Sequence, residues 1–288
     1  MNKEVKYAYP ALVFGVIAVS TAAILVKTSL APAAIIAAYR MFFTVLILGI
    51  PTMVYHRKEF QGFAKSAYIY SALAGIFLAL HFITWFESLK YTSVASSVVL
   101  VNLHPLFSML GVYILFKERV TKLGLIGALL ALIGSSIIGF GDFKGGGQAI
   151  FGDLLAIFGA VFVTGYWLVG QSIRKRLSIL PYTFLVYSSS VIVLFAYNLL
   201  FQNKLFPYEN REWLIYFALA IFPTIFGHTV FNWAIRYVNA TTVSVTILAE
   251  PIGASILAYI FLHEAVSWTQ IIGILIIFTG ISIYFKYK

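Results

Sequence analysis

Cysteine is absent from this 288-residue chain, so neither a disulfide nor a thiolate metal site can form in it. Charge is scarce as well. Asp, Glu, Lys and Arg together reach 10%, where a water-soluble domain carries roughly 25%. The histidines at 56, 81, 104, 228 and 263 are dispersed and show no HExxH-like spacing, which leaves no metal-ligand set and no expected cofactor. Gly145-Gly146-Gly147 has no strand before it and no Lys-Ser or Lys-Thr after it, so it reads as a flexible turn and not a phosphate loop. Met1–Tyr7 is short and basic, and the apolar run behind it has no small-residue cleavage site ahead of a soluble domain. That run is better read as a membrane span than as a signal peptide.

What the chain has in quantity is apolar residues, at 61% with a mean hydropathy of +0.94. A surface so poor in charge belongs in lipid. The net charge of +10 would suggest nucleic acid in a soluble protein, but the basic residues fall between apolar runs and act as topology signals. A span needs about 20 mostly apolar residues. Ten segments qualify, near 9–28, 32–55, 67–89, 93–116, 121–139, 152–172, 181–202, 212–236, 241–262 and 267–286. The fold class expected is therefore all-α and integral to the membrane.

The stretch 81–134 reappears as 227–280 at a fixed shift of 146, without gaps. The shift pairs Tyr91 with Tyr237, Pro105 with Pro251, Tyr113-Ile114 with Tyr259-Ile260, Glu118 with Glu264, Val120 with Val266, Gly127 with Gly273 and Gly134 with Gly280. A looser echo at a shift of 144 aligns Phe14-Gly15 with Phe158-Gly159 and Ser20 with Thr164. So many pairs on one offset mark an internal duplication, with halves 1–142 and 143–288. With the N-terminus inside, 14 basic residues fall on inner positions and 5 on outer ones, leaving Arg40 within a span. Both termini are thus expected in the cytoplasm. Five spans is an odd number, so the second half enters the membrane inverted. Inverted halves around a pseudo-two-fold axis are the architecture of alternating-access carriers.

The two Tyr–Glu blocks (91–118 and 237–264), the Ala249-Glu250-Pro251 triplet and the Ala38-Tyr39-Arg40-Met41-Phe42 segment resemble the EamA-type branch of the drug/metabolite transporter superfamily. The resemblance covers both repeats. It implies a central cavity lined by the first, third, fourth, sixth, eighth and ninth spans, with the fifth and tenth at the periphery.

A charge at bilayer depth costs about 2.5–3.5 kcal/mol on insertion scales, so polar residues there need a reason. Glu250 lies near the middle of the ninth span and its neighbour Pro251 frees a carbonyl one turn back. Its carboxyl suits a proton, an amine or a hydrogen-bonded solute; the competing role is to cap freed backbone or brace Arg40. His104, before Pro105, is its repeat mate, and the two form a candidate proton relay. Arg40 is placed to attract a carboxylate or, as the stronger expectation, to hold an acid or helix-end carbonyls. His81, Trp85 and Ser88 share one face of the third span, Trp167 and Gln171 one face of the sixth, and His228 and Asn232 one face of the eighth. With Ser20, Asn102 and Tyr166 these are the candidate solute-binding residues, since aromatic faces bearing a few hydrogen-bonding groups fit an organic solute. Interfacial anchoring is the competing role for the aromatics. The glycines at 127, 134, 273 and 280 are expected to pack the halves together or form a dimer face. Glu118 and Glu264 are expected to brace helix ends, with gating as the alternative.

These features point to a secondary transporter of the plasma (inner) membrane. It would export a small organic, amino acid-like metabolite, as a monomer or homodimer, with protons as the candidate coupling ion. An uncoupled facilitator or a multidrug efflux carrier is the alternative. A membrane enzyme would need a metal cluster or nucleophile–base set, and a channel would need rings of like polar residues; neither pattern is present.

Overall fold

The protein is described by a computed structural model that covers residues 3–92, 94–139, 147–262 and 267–287. Gly145, Gly146, His263 and Glu264 lie outside the described residues, so the glycine seam and the second of the paired glutamates are expectations only. The described chain is helical: α1 (Lys3–Thr28), α2 (Ala33–Tyr55), the short α3 (Arg57–Gln61), α4 (Lys65–Tyr91), α5 (Val94–Val101), α6 (His104–Phe116), α7 (Lys122–Gly139), α8 (Gly147–Ile173), α9 (Ile179–Leu200), α10 (Asn210–Leu219), a π-helical stretch (Ala220–Thr229), α11 (Val230–Ala234), α12 (Ala240–Ile247), α13 (Glu250–Leu262) and α14 (Trp268–Tyr287). Among the described residues, nine helical stretches are long and apolar enough to cross a membrane. A tenth, 122–138, is shorter but equally apolar. All ten expected spans are therefore occupied by helix.

Three of the ten are not the uninterrupted rods that the apolar runs suggest. The fourth breaks at Asn102-Leu103 and the ninth at Leu248-Ala249, and these two breaks are related by the repeat shift of 146. In each case proline stands at the second position of the new helix, Pro105 after His104 and Pro251 after Glu250. Proline has no N–H to lose there and its fixed φ suits a helix start, so it opens a half-helix instead of kinking one. The eighth span widens into a π-helix around Pro223. Thr224 Oγ1 donates to Leu219 O, five residues back, at 2.8 Å, which matches the wider winding.

The closest packing joins α7 to α14 and α4 to α8 and α9. A Cβ on Gly134 would stand 2.6 Å from Gly273 O, and one on Gly127 would stand 2.6 Å from Gly280 O. Only glycine lets the backbones meet at that distance. The stripe therefore holds the two halves of one chain together. Because Gly127 meets Gly280 while Gly134 meets Gly273, α7 and α14 run antiparallel. Thr121 Oγ1 donating to Tyr287 O, at the start of one and the end of the other, agrees. The core lies between α1, α4, α8, α9 and α11, around Phe82, Trp167, Tyr166, Tyr187 and Phe231.

Candidate functional site

The helix breaks are tied across the halves by matching bonds. Ser20 Oγ on α1 donates to Glu250 O at 3.1 Å, and Thr164 Oγ1 on α8 donates to His104 O at 3.1 Å. Each donor also bonds within its own helix, to Val16 O and Ala160 O. A hydroxyl of each half's first span thus meets the carbonyl that opens the second segment of the other half's broken span. Gly15 lies against Phe231 and Gly159 against Trp85, another reciprocal pair. The 144-residue echo of Ser20 and Thr164 has its physical cause in this crossing.

Around the breaks lies an aromatic centre. His81 Nδ1 is 2.9 Å from Gly159 O. A carbonyl only accepts, so Nδ1 carries the proton and Nε2 is left as an acceptor. The His81 ring stacks on Trp85, centroids 5.5 Å apart, and the His228 ring stacks on Trp167 at 5.8 Å. Phe82 stands edge-on to His228 at 6.1 Å, with the Arg40 guanidinium 4.9 Å from its centroid. Asn232 Nδ2 donates to His228 O at 3.0 Å and contacts the Tyr166 hydroxyl, with the Tyr187 hydroxyl 3.4 Å away. The third, sixth, eighth and second spans thereby bring Arg40, His81, Trp85, Tyr166, Trp167, His228 and Asn232 into one chain of contacts.

Arg40 is 2% exposed, and its Nε donates to Thr224 Oγ1 at 2.7 Å. Thr224 is presented by the π-helical turn, so the widened winding and the buried cation come as a unit. Among the described residues no carboxylate lies within ion-pair distance of Arg40. Several buried polar atoms here have no protein partner among the described residues: Nε1 of Trp85 and Trp167, Nδ1 of His104 and His228, Oδ1 of Asn232 and the Tyr182 hydroxyl. An unpaired buried polar group costs about 1–3 kcal/mol. Such atoms are what a polar solute or water satisfies.

Three of the expected residues stand elsewhere. Asn102 Nδ2 donates to Ser135 Oγ at 2.9 Å, against α7. The Ser20 hydroxyl is used at the Glu250 break. Gln171 lies at one end of the bundle, where Nε2 donates to Glu118 Oε1 at 3.2 Å and Oε1 accepts from Ala240 N at 2.6 Å. Asn239 Nδ2 donates to Glu118 Oε2 at 2.9 Å. This clasp joins the first half, through Glu118, to α8 and α12 of the second. At the other end Glu212 is 5% exposed; it accepts from Leu30 N at 2.9 Å and from the Ser29 hydroxyl. Thr92 Oγ1 donates to Asp153 Oδ1 at 2.7 Å on that same side. Carboxylates therefore lace the halves together at both ends.

Arg174 was legible only as a topology charge, yet it is 1% exposed. Its Nε donates to Asn232 O at 2.9 Å, another of its nitrogens reaches Leu177 O, and its guanidinium covers the Tyr182 ring at 5.6 Å. Capping last-turn carbonyls is a helix-end role open to arginine. Nothing in the local pattern distinguishes Arg174 from its solvated neighbours Lys175 and Arg176.

A bundle of ten apolar helical stretches, two of them broken at mid-depth around a polar and aromatic centre, defines a multi-pass membrane protein built to carry a solute. The EamA-like transporter family model matches residues 6–140 and again 150–286. The chain belongs to that family. It is a transporter and not an enzyme, and a small solute and the bilayer are its partners. Relatives include an uncharacterized transporter of Archaeoglobus fulgidus, 23% identical over 73% of this chain and 74% of that protein. The uncharacterized transporter YxxF of Bacillus subtilis is 20% identical over 85% and 78%. A solved structure described as "Crystal structure of protein" superposes with a TM-score of 0.82 at 20% identity, covering 96% of both chains, and so shares the fold.

Proposed function

We propose that the protein is a secondary transporter of the plasma (inner) membrane that exports a small organic, amino acid-like metabolite by alternating access. Residues 1–142 and 143–288 form two inverted five-span repeats, with both termini cytoplasmic. The observation that carries the reading is the reciprocal pair of bonds at the helix breaks, Ser20 to Glu250 and Thr164 to His104. Contacts exchanged between duplicated halves are those of a two-fold axis. Discontinuous helices at such an axis are where carriers hold substrate. The antiparallel run of the repeat mates α7 and α14 supports the inversion.

In this reading Arg40, His81, Trp85, Tyr166, Trp167, His228 and Asn232 line the solute site, and Ser20, Asn102 and Gln171 stand apart from it. Arg40 and the two indole N–H groups only donate, so they meet acceptor atoms of the solute, while the rings cover its apolar body. Glu250 and His104, at equivalent half-helix starts, carry the coupling proton. With no nucleotide-binding motif in the sequence, an ion gradient or the solute's own gradient supplies the energy. Glu250→Gln keeps the shape and removes the titration. In proteoliposomes with an imposed pH gradient, the variant is expected to lose proton-driven flux and its pH dependence while keeping solute counterflow. An unaltered pH dependence in Glu250→Gln would remove the relay.

A further inference from the structure

Two cavities meet at Arg119 and Val120, in the connection between α6 and α7, at the end of the bundle that carries the Glu118 clasp. The first, about 210 Å³, mixes polar and apolar surface and includes Tyr9, Tyr237, Asn239, Thr242 and Tyr284 in its wall. The second, about 410 Å³, is walled mainly by Met109, Leu110, Tyr113 and Leu125. Leu110, Tyr113 and Leu125 are 57%, 49% and 41% exposed. On a membrane-spanning helix such side chains open onto acyl chains. A cation thus separates the first cavity, a cup, from a groove that faces lipid.

Charge complementarity narrows the occupant. Arg119 forms no ion pair among the described residues, and the carboxylate beside it, Glu118, accepts from the neutral amides of Gln171 and Asn239. Lys117 and Lys122 flank it in sequence, and Arg236 lies over the Tyr237 ring at 5.9 Å. In the cup, Thr242 Oγ1 and the Tyr284 hydroxyl share one bond at 3.3 Å, which leaves one of their two protons for another acceptor. A cup with a surplus donor, at an end where Lys117, Arg119, Lys122 and Arg236 outnumber Glu118, favours an anion. A groove of this size beside it favours an anion that carries a chain.

We propose that the paired cavities at Arg119 seat an anionic phospholipid, its phosphate on Arg119 and the hydroxyls of the cup and one acyl chain along Leu110, Tyr113 and Leu125. Asn239 belongs both to the cup and to the clasp, so the bound lipid steadies the joint between the two halves at the end we assign to the cytoplasm. The site is separate from the aromatic centre and does not depend on which solute is carried.

The test uses the full chain in detergent, with thermal unfolding followed as lipid is titrated. Phosphatidylglycerol is expected to raise the midpoint saturably, while phosphatidylcholine and free glycerol phosphate do not. Arg119→Gln, a change on an exposed connection, is expected to weaken the phosphatidylglycerol response at least tenfold in apparent affinity. Lys58→Gln, the same charge change on α3, should leave it unaltered. Equal responses in Arg119→Gln and the unaltered chain would overturn the proposal. So would equal stabilisation by phosphatidylcholine, or a response to glycerol phosphate alone, which would mark a small-anion site.

Discussion

Thr164 and Ser20 are small side chains with two acceptors each, one in their own helix and one in the opposite half. A hydroxyl that bonds back to the carbonyl four residues earlier is common in apolar helices. The second bond is the informative one, because it crosses to the opposite half at a helix break. Thr164→Val keeps the volume and removes both bonds, and a buried hydrogen bond is worth about 0.5–1.5 kcal/mol net. The variant is expected to unfold at a midpoint a few degrees lower in detergent, and Ser20→Ala should do the same from the other half. If only one of the two matters, the reciprocity has no energetic weight. Outside the membrane, Glu59 on α3 sits 2.6 Å from His56 Nδ1. Hydrogen bonds from His56 and then Ser178 hold its carboxyl below the ordinary value of 4.5. A lowered carboxylate pKa contributes stability above the unfolded value and loses it as pH falls through the folded one. Glu59→Gln is therefore expected to narrow the stability difference between pH 6 and pH 3, by a small amount because the group is exposed. An identical pH profile in the variant would show that the contact has no thermodynamic consequence.

At the scale of elements, the spans were readable because length and apolarity are local properties, and lipid demands both. The breaks in the fourth and ninth spans were only half readable. Pro105 and Pro251 announce an interruption, but whether proline kinks a helix or opens a new one depends on the carbonyls one turn back. The bonds that mark these breaks, from Ser20 to Glu250 O and from Thr164 to His104 O, come from distant parts of the chain. The π-helical turn at 220–229 was not readable at all: Pro223 and Gly227 are compatible with several windings, and the Arg40–Thr224 bond that accompanies this one is tertiary. The glycine stripe left two readings open, and the approach of α7 to α14 decides between them. Gly134→Leu would force a branched side chain into a space bounded by Gly273 O. Overpacking of that kind typically costs about 1–3 kcal/mol. The variant is expected to express poorly and unfold several degrees earlier, whereas the same change at the lipid-facing Ile133 neighbour, Ile133→Leu, should be silent. Normal stability in Gly134→Leu would mean that the two helices are not in the contact described.

For the whole molecule, the question is whether the duplicated halves cross the bilayer in opposite senses. The charge count and the odd number of spans lead to that expectation from the sequence, and the antiparallel contact of α7 with α14 is consistent with it. The candidate solute site was legible in residue type, since His, Trp, Arg and Asn at mid-depth stand out against apolar runs. Which of them meet was not, because that depends on how the halves dock. Absence of cysteine makes the decisive test a clean one. Lys122 begins α7, and Ser267, immediately before α14, occupies the place equivalent to Thr121; both are exposed. Single cysteines at 122 and at 267 would be labelled in intact cells with a membrane-impermeant maleimide, then again after permeabilisation. The expected result is labelling of 267 from outside and of 122 only once the membrane is opened. Labelling of both from one face would put the halves in the same sense. The reciprocal bonds at Glu250 and His104 could then not straddle a membrane-plane axis, and a single site reached in turn from each side would lose its structural basis.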